Sequence, residues 1–230
     1  MAMPIKREVV VQSIVQHDHD VYQVTLTSTE KIPNFKPGQF LHLALDAYDP
    51  CTGMWPESRV FSIASSLKNN SISIIYSVKG SYTQRLAREL EIGKKMWIKL
   101  PYGSFTITTP HPQQDVILLA GGTGIAPYIP YLEQELICPS GRKITLAYGI
   151  RGEHCYLFKT LLQACAMIPH FELILFNGQP IDFEKIYTHA QSYSEPCFFI
   201  SGPKAMIDSA YTFFSSQNIP PHNIRIDAWD

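Results

Sequence analysis

Residues 118–127 read Leu-Leu-Ala-Gly-Gly-Thr-Gly-Ile-Ala-Pro, and no other stretch constrains the fold as strongly. The run leading into it, Val116-Ile117-Leu118-Leu119-Ala120, is short, apolar and β-branched at its start, as a buried parallel strand is. It passes directly into Gly121, Gly122 and Gly124, then into Pro127 and the periodic Tyr128-Ile129-Pro130-Tyr131-Leu132. Strand, glycine turn and helix start therefore follow one another without a linker. Glycines let the backbone approach a bulky anion, and the free N–H groups at a helix start attract negative charge. Pro127 suits a first-turn position, where no intrahelical donor is lost. The stretch predicts a nucleotide pyrophosphate on a helix N-terminus; the plainer reading is a turn that only tightens a bend. No Lys-Ser or Lys-Thr follows Gly124, so it is not a Walker loop. Pro127 stands where the third glycine of Gly-x-Gly-x-x-Gly would be, so the full dinucleotide fingerprint is not met either.

At 230 residues, 45% hydrophobic and 17% charged, the chain can bury one large core or two small ones. A formal net charge of -1 argues against a generally nucleic-acid-binding surface. No apolar run is long enough to span a bilayer, and the opening Met1-Ala2-Met3-Pro4-Ile5-Lys6-Arg7 lacks the apolar block of a secretion signal. Cysteines at 51, 138, 155, 165 and 197 form no Cys-x-x-Cys, which fits reduced thiols in a cytoplasmic protein. That spacing excludes the usual cysteine-ligated iron–sulfur cluster within this chain, so such a centre would belong to a partner.

The two halves follow different patterns. Residues 5 to 107 carry short strand-like runs: 8–11, 21–26, 39–45, 59–63, 71–76 and 95–100, divided by Pro and Gly. Such spacing predicts an antiparallel barrel or sandwich. One helix is expected at Tyr82 to Leu90, where Leu86 and Leu90 repeat at i, i+4. The polar, proline-bearing stretch from Thr108 to Gln114 marks the boundary, with domains at 1–109 and 115–230. Beyond it, strand-like runs at 116–120, 143–148, 171–176 and 197–200 alternate with helix-like runs at 127–137, 154–168, 182–192 and 204–216. That alternation predicts a doubly wound parallel sheet with right-handed crossovers. A last strand, 223–228, is expected to bring Trp229 and Asp230 to the sheet's carboxyl end, where open α/β sheets hold ligands.

A second motif is Arg59-Val60-Phe61-Ser62-Ile63-Ala64-Ser65. Along a strand, Arg59, Phe61 and Ile63 share one face and Ser62 the other. By itself such a fragment is a half-exposed strand. Here it stands in order with Phe35-Lys36-Pro37-Gly38-Gln39-Phe40 upstream, and with Gly80-Ser81-Tyr82-Thr83 and Pro101-Tyr102-Gly103-Ser104-Phe105 downstream. This order, ending in Gly-Gly-Thr-Gly-Ile-Ala-Pro and Ser201-Gly202-Pro203, resembles the ferredoxin–NADP reductase superfamily of flavoprotein reductases over almost the whole chain.

The resemblance implies a six-stranded antiparallel β-barrel that holds a flavin and a C-terminal α/β domain that holds NAD(P)H. It implies that Arg59 pairs with the flavin phosphate, a task suited to a planar bidentate cation. Phe61 replaces the family's usual tyrosine, keeping a stacking face and losing the phenol. Ser62 falls beside flavin N5, with Val60, Tyr76 and Val78 among the flavin-binding positions. Gly80, Ser81, Tyr82 and Thr83 fall at the FAD pyrophosphate, again on a helix N-terminus. In the second domain, Gly121, Gly122, Thr123 and Gly124 match the dinucleotide turn, and Gly202 and Pro203 the nicotinamide end. Ser201 replaces the family's frequent cysteine, so the polarizable thiol is lost. Ile226-Asp227-Ala228-Trp229 resembles endings in which an aromatic covers the flavin; packing is the other reading of Trp229. Ser62, Ser201 and Asp227 are the expected catalytic residues. Arg151, after the second strand of the domain, is placed to meet the ribose phosphate of NADP, yet Glu153 beside it leaves the nucleotide preference open.

The function implied is hydride transfer from NAD(P)H to bound FAD, with electrons passed to a ferredoxin or an oxygenase component. One alternative is an NAD(P)H:flavin reductase that uses diffusible flavin as substrate; another is a non-catalytic regulatory electron-transfer subunit. His17 and His19 make a His-x-His pair in a polar turn with no acid or cysteine cluster at ligand spacing, so no metal site is expected. No Gly-x-Ser-x-Gly elbow supports a serine hydrolase.

Overall fold

Alternating apolar residues in the first half fold as strands β1 (Ile5–Asp18), β2 (Val21–Thr27), β3 (Phe40–Ala44), β4 (Ser58–Ser62), β5 (Ser71–Ser77) and β6 (Lys95–Tyr102). The computed structural model describes residues 3–111 and 114–228. The chain divides into two compact units, Met1–Thr106 and Ile107–Asp230. In the first unit the strand order is β4-β3-β6-β1-β2-β5, every neighbouring pair antiparallel. The two edge strands meet. An antiparallel bridge joins Ile63 to Ile74, and the Ala64 N–H donates to the Ser73 carbonyl at 2.8 Å. The sheet thereby closes into the expected barrel and leaves no long free edge. Inward residues such as Val9, Val24, Leu41, Ile74 and Ile98 are fully buried.

β1 runs well past the apolar block at 8–11, because two register shifts in its ladder with β2 let it bend and continue. The expected helix is α1 (Ser81–Glu89); Tyr82 and Leu86 are buried, and Leu90 leaves the helix in an extended conformation.

The second unit consists of β7 (Val116–Gly121), α2 (Ile129–Ile137), β8 (Ile144–Ile150), α3 (Lys159–Cys165), β9 (Phe171–Asn177), α4 (Phe183–Ala190), β10 (Cys197–Ser201), α5 (Lys204–Ser216) and β11 (Ile224–Ile226). Its sheet is parallel throughout, in the order β11-β10-β7-β8-β9. The chain winds outward from β7 to β9 and then returns to the other side, so the order reverses between β7 and β10. Ile117 and Leu119 share a core with α4 and α5, including Ile186, Ile207 and Phe214. Val116, Leu118 and Ala120 face the other way and are buried as completely, as a parallel sheet covered on both faces requires.

Two helices differ from expectation. Pro127 does not open an α-helix: Gly122–Tyr128 forms a 3₁₀ turn with Pro127 inside it, and α2 starts at Ile129 with Pro130 in its first turn. The tighter turn brings the Tyr128 hydroxyl to the Leu119 carbonyl at 3.0 Å. The expected helix at 154–168 is split into a 3₁₀ turn (Glu153–Cys155) and the shorter α3. Phe158 sits between them at φ +55°, a left-handed conformation that a right-handed helix cannot contain. Among the described residues, no helix is long and apolar enough to cross a membrane.

Candidate functional site

On β4 the alternation separates the motif's residues. Phe61 and Ile63 point into the barrel, at 7% and 0% exposure, while Arg59 is exposed and Val60 and Ser62 are half-buried. Phe61 meets Tyr76 of β5 edge-on, ring centroids 5.8 Å apart, so part of its surface is spent on core packing. Tyr76 in turn stacks on Tyr22 at 5.6 Å, and its buried hydroxyl has no hydrogen-bond partner among the described residues. Val78 is half-buried and donates its N–H to the Asp20 carbonyl at 2.8 Å.

Arg59 lies over the start of α1, its guanidinium 5.2 Å from the centre of the Tyr82 ring. One of its nitrogens donates to the Ser58 carbonyl at 2.9 Å, and another pairs with Glu57 at 3.1 Å. Tyr82 anchors this arrangement, because its buried hydroxyl donates to the Leu43 carbonyl. Burial keeps the Tyr82 phenol well above its ordinary range, so it remains a neutral donor.

Gly80 precedes α1 as its N-cap and supplies no side-chain acceptor. The Thr83 hydroxyl closes the turn, accepting from the N–H groups of Lys79 and Gly80 at 2.9 and 3.1 Å and donating to the Gly80 carbonyl at 3.0 Å. No N-cap side chain bonds the first N–H groups of α1 among the described residues. A Cβ at Gly80 would meet nothing within 4 Å, so packing does not demand glycine there. A fixed cation beside a nine-residue helix with uncapped N–H groups is a donor set for an anion. It fits the pyrophosphate of FAD.

In the second unit the reversal of strand order brings the turn after β7 against the turn after β10. A Cβ on Gly124 would collide with the Ser201 carbonyl and lie 2.5 Å from the Gly202 Cα. One on Gly121 would lie 2.7 Å from the Met206 sulfur and 2.8 Å from the Pro203 Cδ. These two glycines are thus required by loop-on-loop packing inside the protein. Gly122 differs: its φ is +54°, and a Cβ there would meet nothing within 4 Å. It needs glycine for its backbone conformation, and its open side leaves a ligand free to approach. Thr123 is half-buried beside it.

Ser201 ends β10 at 2% exposure and donates its hydroxyl proton to Asp227 at 2.9 Å. Asp227 is 4% exposed, and its N–H is bonded to the Ile200 carbonyl at 2.9 Å. The structure therefore brings Ser201 and Asp227 together, far apart as they are in sequence. Gly202, at φ +154°, and Pro203 lead directly into α5. Arg151 follows β8 at the same edge of the sheet, exposed and without an ion pair among the described residues. Trp229 lies outside the described residues.

Three contributors were not anticipated. Tyr148 of β8 donates to the Gly122 carbonyl at 3.2 Å and braces the glycine turn. Tyr128 is fully buried, and burial together with the nearby Asp227 charge holds its phenol well above the usual range. Glu57 is paired with Arg59. Aromatic residues at a strand end and an acid near an arginine are common features with no distinctive pattern, so no sequence signal isolates them. His17 meets Gln23 at 3.0 Å; His19 meets Asp18 at 3.0 Å, and its ring nitrogen and the carboxylate oxygens of Asp18 and Asp20 lie within 4.8 Å of one another.

The model of the FAD-binding domain family matches residues 6–204. The chain is 23% identical to the reductase component of propane 2-monooxygenase from Mycolicibacterium smegmatis, covering 95% of this chain and 66% of that protein. It is 25% identical to the toluate 1,2-dioxygenase electron transfer component of Pseudomonas putida, covering 82% of this chain and 57% of that one. It thus spans less than two thirds of either relative. The structure of an Amycolatopsis cytochrome P450 reductase superposes with a TM-score of 0.81 at 20% identity, over 97% of this chain and 69% of the other. The barrel, the parallel sheet and a family match across most of the sequence agree: the chain belongs to the FAD-binding domain family and shares the fold of that reductase.

Proposed function

We propose that this chain takes hydride from NAD(P)H onto FAD and passes the electrons to an acceptor protein such as a ferredoxin or an oxygenase component. One observation carries the reading. A cation-plus-helix anion site on the antiparallel unit and a glycine turn at the strand-order reversal of the parallel unit occur in the same chain. The names of its relatives, a reductase component and an electron transfer component, agree with it.

FAD, when bound, supplies a carrier that accepts electrons in a pair and releases them singly. The protein's task is to hold and orient. Arg59 and the N–H groups of α1 take the pyrophosphate, while Phe61, Val60, Tyr76 and Val78 border the flavin. Ser62 offers a hydroxyl to flavin N5. The turn from Gly121 to Gly124 receives the nucleotide diphosphate, and Ser201, Gly202 and Pro203 receive the nicotinamide end. Asp227 acts through Ser201, whose hydroxyl proton it holds. Arg151 meets the far ribose. The five cysteines form no Cys-x-x-Cys, which fits a chain that works in the cytoplasm.

Anaerobic stopped-flow mixing of the flavin-loaded protein with NADH or NADPH tests the proposal. Bleaching of the flavin absorbance is expected, and the ratio of rates gives the nucleotide preference. No bleaching with either donor would overturn it in favour of a regulatory electron-transfer subunit. A second reading, with flavin as a diffusible substrate, is favoured by the pairing of Arg59 with Glu57, which offsets the cation's charge. Loss of the yellow colour on gel filtration would establish it.

A further inference from the structure

The charge at the flavin phosphate site is unusual for a site that must hold an anion. Glu57 stands two residues before Arg59, its carboxylate 3.1 Å from the guanidinium, with the two side chains 57% and 50% exposed. Arg85 of α1, a second cation whose charge Tyr82 feels, is already committed. It pairs with Asp46 at 2.9 Å and with Glu89 at 2.8 Å. Of the charged groups around the Tyr82 ring, Arg59 and Glu57 therefore cancel, and Arg85 is neutralised by its own acids. Tyr82 reports the same field. Burial chiefly raises its phenol, Glu57 adds to the rise, and Arg59 and Arg85 oppose it. The site thus offers a phosphate a guanidinium shared with a carboxylate and the partial positive charge of the α1 N-terminus, with the exposed Lys79 next to Gly80 in the chain.

We propose that Glu57 selects among flavins at this site, disfavouring the phosphomonoester FMN most, FAD less, and riboflavin not at all. The proposal rests on Arg59 and α1 being the flavin phosphate site. A phosphomonoester carries about -1.5 to -2 charges near neutral pH. In FAD each phosphorus is a diester with a single charge, and the second of them falls to the N–H groups of α1. The charge brought beside Glu57 is thus greatest for FMN, smaller for FAD and absent for riboflavin. Repulsion between partly exposed charges is modest, yet it scales with the charge delivered.

The test is the substitution Glu57→Gln, which keeps the side chain's size and its hydrogen bond to Arg59 while removing the charge. Its exposed position leaves the core untouched. Dissociation constants for FAD, FMN and riboflavin are read from the quenching of flavin fluorescence by each protein. FMN is expected to bind on the order of 10-fold more tightly to the variant, FAD about 3-fold, and riboflavin within about 1.5-fold. The FMN gain should shrink as salt is raised, since exposed charges are screened. Equal shifts for all three flavins, or none for FMN, would overturn the role of Glu57. Failure of all three to bind the unaltered protein would instead overturn the flavin site itself.

Discussion

Arg59 is a residue whose work depends on what surrounds it. Its guanidinium has three neighbours: the Glu57 carboxylate, the Ser58 carbonyl and the face of Tyr82. A planar, always-charged fork can hold all three and still present donors outward, which lysine could not. Arg59→Ala should therefore weaken FAD binding by on the order of 10-fold or more, the value of a charge-assisted hydrogen bond, and leave NADH and NADPH affinity within about 2-fold. Parallel titrations of flavin fluorescence and of nucleotide binding would show this; a larger loss on the nucleotide side would remove Arg59 from the flavin site. Arg59 and Ser62 could be singled out because their motif stands in order with others. Glu57 was not, since an acid near an arginine looks the same whether it balances a binding site or decorates a surface. The Ser201–Asp227 bond lay equally out of reach: each residue could be singled out, but nothing local says that one holds the other's proton.

At the scale of elements, the turn from β7 to α2 was readable as strand, glycines and helix, but the reason for its glycines was not. Sequence points to room for an anion. The structure shows that Gly121 and Gly124 are small because the turn after β10 packs on them, and that of these three glycines only Gly122 combines a left-handed backbone with open space. These two causes predict different costs. Gly124→Ala pushes a methyl into the Ser201–Gly202 backbone and should destabilise the protein by about 3 kcal/mol, as overpacking against an unyielding main chain does. Gly122→Ala pays only for its left-handed conformation, roughly 1–2 kcal/mol. Denaturant midpoints at constant slope would rank the pair, and the reverse order would refute the loop-on-loop account. Helix lengths were the least legible feature. The helix breaks at Phe158, whose backbone is left-handed next to the buried Leu157, and no local propensity marks that place.

Across the whole molecule the cysteines test the fold as described. Cys51 and Cys138 are exposed, Cys155 is half-exposed, and Cys165 and Cys197 are buried. Burial pushes the thiols of Cys165 and Cys197 up to about 11, so at mildly alkaline pH they stay protonated as well as shielded. Alkylation of the native protein followed by mass spectrometry should label Cys51 and Cys138 first and Cys165 and Cys197 only after the second unit unfolds; early labelling of Cys197 would contradict a central β10. The sequence alone determined the two architectures, antiparallel then parallel, because burial periodicity and Gly/Pro punctuation are carried by neighbours in the chain. It also determined which motifs stand at strand ends. Tertiary structure decided the rest: the bridge that closes the barrel, β6 between β3 and β1, β7 beside β10, and the meetings of Arg59 with Tyr82 and of Ser201 with Asp227. Those contacts join residues distant in sequence, so they exist only once many loops have closed and a shared core has fixed their geometry.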